Sequence, residues 1–190
     1  MTIPRLIIFL STLVWIFPPL RQFRGRFFYY FLIIALSDPI SITFHYLKLE
    51  WSTPLFVLFS AGLLFSLPQQ NRYLRLPYLI PALILYIAAI YFLPVSDQII
   101  LLGLIHITIV YILFKYIITY VYENGRIQLF HLLLLTYEIS LLLKFINLIF
   151  ELHAGIVNFN FITGFQIILG ILFCFIKEES PKLSFRLVKP

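Results

Sequence analysis

The chain has 190 residues, of which 62% are hydrophobic, 18% aromatic and only 12% charged, with a formal net charge of +6. Soluble globular domains are about half apolar and about a quarter charged, so this composition excludes that class. The basic residues fall in short segments beside apolar blocks, where they read as topology signals rather than as a nucleic-acid surface.

Seven apolar blocks of helical length follow one another, at 5–20, 27–47, 52–67, 77–94, 98–121, 127–150 and 159–176. They predict an all-α integral membrane protein, a single domain over 1–190 with seven transmembrane helices. The first block, LIIFLSTLVWIF, is short enough to resemble a leader, but the basic stretch PPLRQFRGR follows it instead of a small-residue cleavage site. A retained first helix is the expectation, ended by Pro18-Pro19. The second block contains ALSDPIS, in which Asp38, Ser41 and His45 fall at i, i+3 and i+7 and share a helical face. Pro39 removes a backbone donor and leaves the carbonyl of Ala35 without its usual partner. A kinked helix with a free carbonyl beside a carboxylate suits a proton, a cation or a polar solute. The plainer reading is a packing kink with Asp38 bonded to a Ser or Tyr. The third block starts near Pro54 and stops at Pro68, and the fourth runs between Pro77 and Pro94, as proline's missing N–H favours.

The fifth block places His106, in LLGLIHITIV, inside an apolar span, either as a packing residue or as a member of a site. Lys115, near the end of the same span, is expected to snorkel. The sixth block, LLLLTYEISLLLKFINLIF, carries both Glu138 and Lys144. These two lie about 120° apart around a helix and about 9 Å along it, so each needs a partner elsewhere. Glu138 is midway through its span, too deep for a short side chain to reach water; it must be protonated, paired or exposed to a wet cavity. Lys144 either snorkels outward or pairs internally, and the backward lean of helical side chains favours the internal course. Thr136, Ser140, Lys144, Asn147 and Glu151 continue a polar edge at helical spacing. His131 shares the Glu138 face at i−7 but sits near the basic end. In the seventh block Thr163, Gln166 and Gly170 share a face that glues helices together or lines a cavity.

Strict alternation of the seven helices sends Arg21, Arg24, Arg26, Arg72, Arg75, Arg126, Lys177, Lys182, Arg186 and Lys189 to one side. Arg5 and Lys48 go to the other, ten basic residues against two. The positive-inside rule then places the N-terminus outside and the C-terminus in the cytoplasm. Trp15, Trp51 and tyrosines near helix ends fit interfacial belts.

A repeat is expected as well. Asp38 in ALSDPIS and Glu138 in LTYEISL are one hundred residues apart, and each is followed by a loop, a short glycine-containing helix and a basic segment. This suggests two parallel three-helix repeats, 5–67 and 98–176, joined by a linker helix at 77–94. The layout resembles that of sugar carriers and other proline-glutamine-loop proteins in architecture. FPPLRQ, residues 17–22, has prolines near the end of the first helix, but the second unit has no counterpart and LPQQ, residues 67–70, follows the third helix. No residue roles are carried over on that likeness.

The single cysteine, Cys174, excludes an intramolecular disulfide. There is no H-E-x-x-H, P-loop or G-x-S-x-G motif, which favours a non-enzyme over an intramembrane enzyme acting on lipid, and four scattered histidines with one cysteine argue against a transition-metal site. Retinal would need a lysine within the last helix, which has none before Lys177, and no cofactor is expected. The leading expectation is a small polar-solute or ion carrier using a mid-membrane pocket made by Asp38, Ser41, His45, His106, Glu138, Ser140, Lys144 and Asn147. Its partners would be the lipid bilayer and a small polar solute or proton. The rival is a non-transporting receptor or assembly subunit that docks a protein partner on the cytoplasmic side.

Overall fold

In a computed structural model, residues 3–48, 52–67, 76–149, 155–178 and 183–186 are described. Trp51, Pro68, Arg72, Arg75, Glu151, Lys182 and Lys189 lie outside them, as do the side chains of Arg5, His45 and Arg186.

The double proline shapes the start of the chain. Without N–H groups, Pro18 and Pro19 cannot bond to the carbonyls one turn back. The single helix expected over 5–20 is therefore interrupted at Ile16, giving α1 (Ile3–Trp15) and a short α2 (Phe17–Arg21). A tight turn follows in which the Gly25 N–H donates to the Gln22 carbonyl at 2.7 Å. A Cβ on Gly25 would meet that oxygen at 2.9 Å, which explains the glycine. α3 (Phe28–Tyr46) continues through Pro39 without ending. α4 (Ser52–Ser66) and α5 (Leu76–Phe92) follow, and the chain turns at Leu93-Pro94 into α6 (Val95–Asn124). At 30 residues α6 is longer than the expected 98–121. Gly125, left-handed at φ 60°, ends it, a conformation that costs glycine nothing. α7 (Leu129–Ile149) and α8 (Gly155–Phe175) complete the helices.

A small feature absent from the sequence reading is a two-stranded antiparallel pair, β1 (Arg126–Gln128) with β2 (Ser184–Arg186), in register Arg126 with Arg186. It ties the start of α7 to the end of the chain. The rest of the described structure is consistent with an all-α fold.

Six helices close into a ring: α1 packs on α3, α3 on α4, α4 on α6, α6 on α7, α7 on α8, and α8 back on α1. α5 leans on α4. Aromatic rings fill the centre, with Trp15 4.6 Å from Tyr137, and Phe31 and Phe130 4.9 and 5.5 Å from Phe173.

The interior is mainly apolar, but the outer surface is apolar as well. On α6 the buried set includes Gln98 and His106, while Ile100, Leu104, Ile107, Tyr111, Phe114 and Ile118 make an exposed stripe at helical spacing. An apolar stripe of this length facing outward marks a lipid or partner surface. Three of the described helices are long and apolar enough to cross a membrane: α6, Leu129–Asn147 of α7 and Val157–Phe175 of α8.

At one end of the bundle Arg21, Arg26 and Arg126 come near the end of α8 and β2. Gln22 Nε2 donates to the Ile176 carbonyl at 2.8 Å and Arg21 Nη2 to the Phe175 carbonyl at 3.4 Å, both at the C-terminus of α8. These bonds hold the α2–α3 turn against the end of α8, next to the β1–β2 pair.

Candidate functional site

Glu138 is fully buried, at 0% exposure. Its Oε1 accepts a short hydrogen bond from Tyr30 Oη on α3, and its Oε2 lies 2.7 Å from His106 Nδ1 on α6. The far imidazole nitrogen, Nε2, is 3.0 Å from Ser60 Oγ on α4, and the ring stacks on Phe145 at 5.1 Å. Four helices thus meet in one line, Tyr30–Glu138–His106–Ser60. Both carboxylate oxygens and both ring nitrogens have partners, as burial demands. His106 and Glu138, both expected in a site, are brought together. Tyr30 and Ser60 were not anticipated: near a helix end a tyrosine reads as a belt residue, and a serine in FSAGLL reads as a small packing residue.

The second cluster is separate. Asp38 Oδ2 accepts from Ser11 Oγ on α1 at 3.5 Å, a serine partner of the kind that the plainer reading of this helix expects. Lys144 Nζ donates to Gln166 Oε1 on α8 at 2.5 Å and sits 4.6 Å from the centre of the Phe159 ring. Gln166 Nε2 donates to Ser140 Oγ at 2.8 Å, and Ser140 donates in turn to the Tyr137 carbonyl at 2.6 Å. Asp38 and Lys144 attract one another but make no direct ion pair within 4.0 Å. Both are half-buried, while their neighbours Ser11, Ser140 and Gln166 are buried. Ser41 Oγ, one helical turn beyond Asp38, is buried without a hydrogen-bond partner among the described residues. Asn147 is half-buried farther along α7, and the His45 side chain is outside the described residues. The expected pocket therefore divides: His106 and Glu138 in a fully buried line, and Asp38, Ser140 and Lys144 in a second cluster whose two charged members are half-buried.

A third group lies at the basic end. Glu178 Oε1 is 3.9 Å from Arg26 Nε and 3.8 Å from His131 Nε2. Arg26 also bonds to Tyr116 Oη and lies 5.2 Å from the centre of that ring, which in turn sits 4.8 Å from the His131 imidazole. Arg26 was read only as a topology signal; here its charge also holds the α2–α3 turn to α6 and to the segment after α8. Among the described residues no group of three or more His, Cys, Asp or Glu side chains is arranged to hold a metal ion.

Comparison with known proteins finds no matching family model, no matching curated protein and no matching solved structure.

Proposed function

We propose that the chain is a seven-helix integral membrane protein, N-terminus outside and C-terminus cytoplasmic, that carries a small polar solute or ion and uses the Glu138–His106 pair as its proton site. The observation that carries this reading is the pair itself: a carboxylate at 0% exposure, 2.7 Å from an imidazole, in the apolar interior. Helix packing alone would be served by neutral groups, because buried ionisable residues are costly.

The line accepts a proton without leaving an orphan. With the pair as carboxylate and imidazolium, His106 donates from both nitrogens, to Glu138 and to the Ser60 oxygen. After loss of the Nε2 proton, the Ser60 hydroxyl turns and donates to that nitrogen. Every polar atom of the line remains bonded in both states, so one proton can come and go at low cost in hydrogen bonding.

The packing order supports the two-repeat reading as well. Exchanging the first three long helices with the last three turns the α1–α8 contact into the α6–α4 contact, and both occur. We take 5–67 and 98–176 as the two units.

The test is proton movement in liposomes holding an internal pH-sensitive dye, with an imposed membrane potential. Wild-type protein should carry protons faster than empty liposomes, and Glu138→Gln should bring the rate back to the empty value. Equal rates for wild type and variant would overturn the proton site. A second reading, a receptor or assembly subunit with a cytoplasmic protein partner, is favoured by the closure of the Glu138 line, which works equally well as a lock between helices. A stable stoichiometric partner recovered from native membranes, without proton flux, would decide for it.

A further inference from the structure

The Asp38–Lys144 cluster has more hydrogen-bonding and charge capacity than its neighbours use. An ionised carboxylate offers about four acceptor sites, and Asp38 receives one hydrogen bond, a long one at 3.5 Å. An ammonium has three donors, and Lys144 spends one on Gln166. In an apolar setting these opposite charges gain strongly by closing on each other, since their attraction grows as the dielectric falls. They do not close. Lys144 is held toward α8 by the Gln166 oxygen and the Phe159 ring, while Asp38 is bonded to Ser11 on α1.

Two opposite charges that do not pair with each other are matched by a ligand that carries both signs. We propose that Asp38 and Lys144 together bind a zwitterion, its ammonium on Asp38 and Ser11 and its anionic group on Lys144 and Gln166. Anionic solutes alone would face Asp38, and cations alone would face Lys144, so each single-charged analogue meets a repulsive group. Ser41 Oγ, buried one turn beyond Asp38 and without a hydrogen-bond partner among the described residues, offers a further hydroxyl on the ammonium side. The chemistry is shared by two sources, a free amino acid and the headgroup of phosphatidylethanolamine. As the substrate of a carrier this ligand rests on the transport reading, but its binding does not.

Thermal unfolding of the purified full chain in detergent tests binding directly. The probes are glycine, β-alanine and 4-aminobutyrate, with butyrate and butylamine as single-charge controls; a separate arm compares nanodiscs of phosphatidylethanolamine with nanodiscs of phosphatidylglycerol. A zwitterion at saturation should raise the melting temperature by roughly 5 °C or more. The controls should not, and Asp38→Asn or Lys144→Gln should each remove the shift. A shift with the amino acids assigns a free solute, and one with phosphatidylethanolamine alone assigns a lipid headgroup. Either supports the zwitterion site. No shift in either arm, or shifts of equal size with butyrate or butylamine, overturns it. Binding without flux in the liposome experiment would leave this site standing and remove the carrier reading. Because Lys144→Gln could disturb folding, Lys144→Arg serves as the second variant. It keeps the charge and should retain at least part of the shift.

Discussion

Removing the Glu138 carboxyl would leave the Tyr30 hydroxyl and the His106 Nδ1 facing nothing in the centre of the bundle. Breaking a buried pair by deleting one partner costs about 3–5 kcal/mol, so Glu138→Ala is expected to be the most damaging change in the line. Tyr30→Phe removes one donor to a charged acceptor and should cost about 1–3 kcal/mol; Ser60→Ala removes the outermost bond and should cost about 1 kcal/mol. Thermal unfolding in detergent measures the order Glu138→Ala, Tyr30→Phe, Ser60→Ala, and a Ser60→Ala protein as damaged as Glu138→Ala would contradict it. Half of this line is legible before folding. An acid and an imidazole in apolar spans declare themselves, because burying either without company is expensive. Tyr30 and Ser60 carry no such signal, since their hydroxyls are cheap enough to occur anywhere on a helix. Only the closed ring of helices gives them their place: Tyr30 reaches Glu138 from α3, and Ser60 on α4 meets His106 on the adjoining α6.

At the scale of the helices, α1 and α8 approach closely because α8 has no side chain at Gly170. A Cβ there would lie 2.7 Å from Val14 Cγ1 and 3.3 Å from Trp15 Cε2. Small residues at a contact let backbones come together, a device frequent among membrane helices. Gly164, six residues earlier on α8, has nothing within 4 Å of the same imagined atom. The two positions make a paired experiment. Gly170→Leu should destabilise by about 1–3 kcal/mol through overpacking against Val14 and Trp15, whereas Gly164→Leu should stay within about 0.5 kcal/mol of wild type. Equal losses at the two sites, measured by thermal unfolding, would show that the α1–α8 contact is not what Gly170 serves. The helices themselves were readable from apolar block length and punctuation, as Pro94 before α6 illustrates. The break at Ile16 was not, although its cause, Pro18-Pro19, stood in plain view as a terminator. The β1–β2 pair was invisible for a different reason: three-residue strands carry too little periodicity to register, and their pairing joins segments far apart in the chain.

For the whole molecule, the distribution of charge and the packing of the ends lead to the same prediction about sidedness. Arg21 and Arg26 contact the residues that end or follow α8, and Arg126 pairs in register with Arg186. One end of the bundle therefore holds Arg21, Arg26, Arg126 and Arg186, four of the residues that strict alternation assigns to one side. The turn between α5 and α6, with exposed Ser96 and Asp97, is separated from that end by the length of α6, about 45 Å for its 30 residues. If the basic end is cytoplasmic, as the positive-inside rule requires, Ser96 faces outside. The experiment starts from a Cys174→Ser background, since Cys174 is the only cysteine, and introduces Ser96→Cys or Arg24→Cys singly. A membrane-impermeant maleimide added to intact cells should label the Ser96→Cys protein. It should reach the Arg24→Cys protein only after permeabilisation. Reversed labelling would invert the proposed orientation and leave the internal clusters as they are. Labelling of both sites from outside would be the more damaging result: an odd number of crossings must separate Arg24 from Ser96, and with both on one face the seven-span alternation, and the inside-outside axis on which the proton site is argued, would fall together.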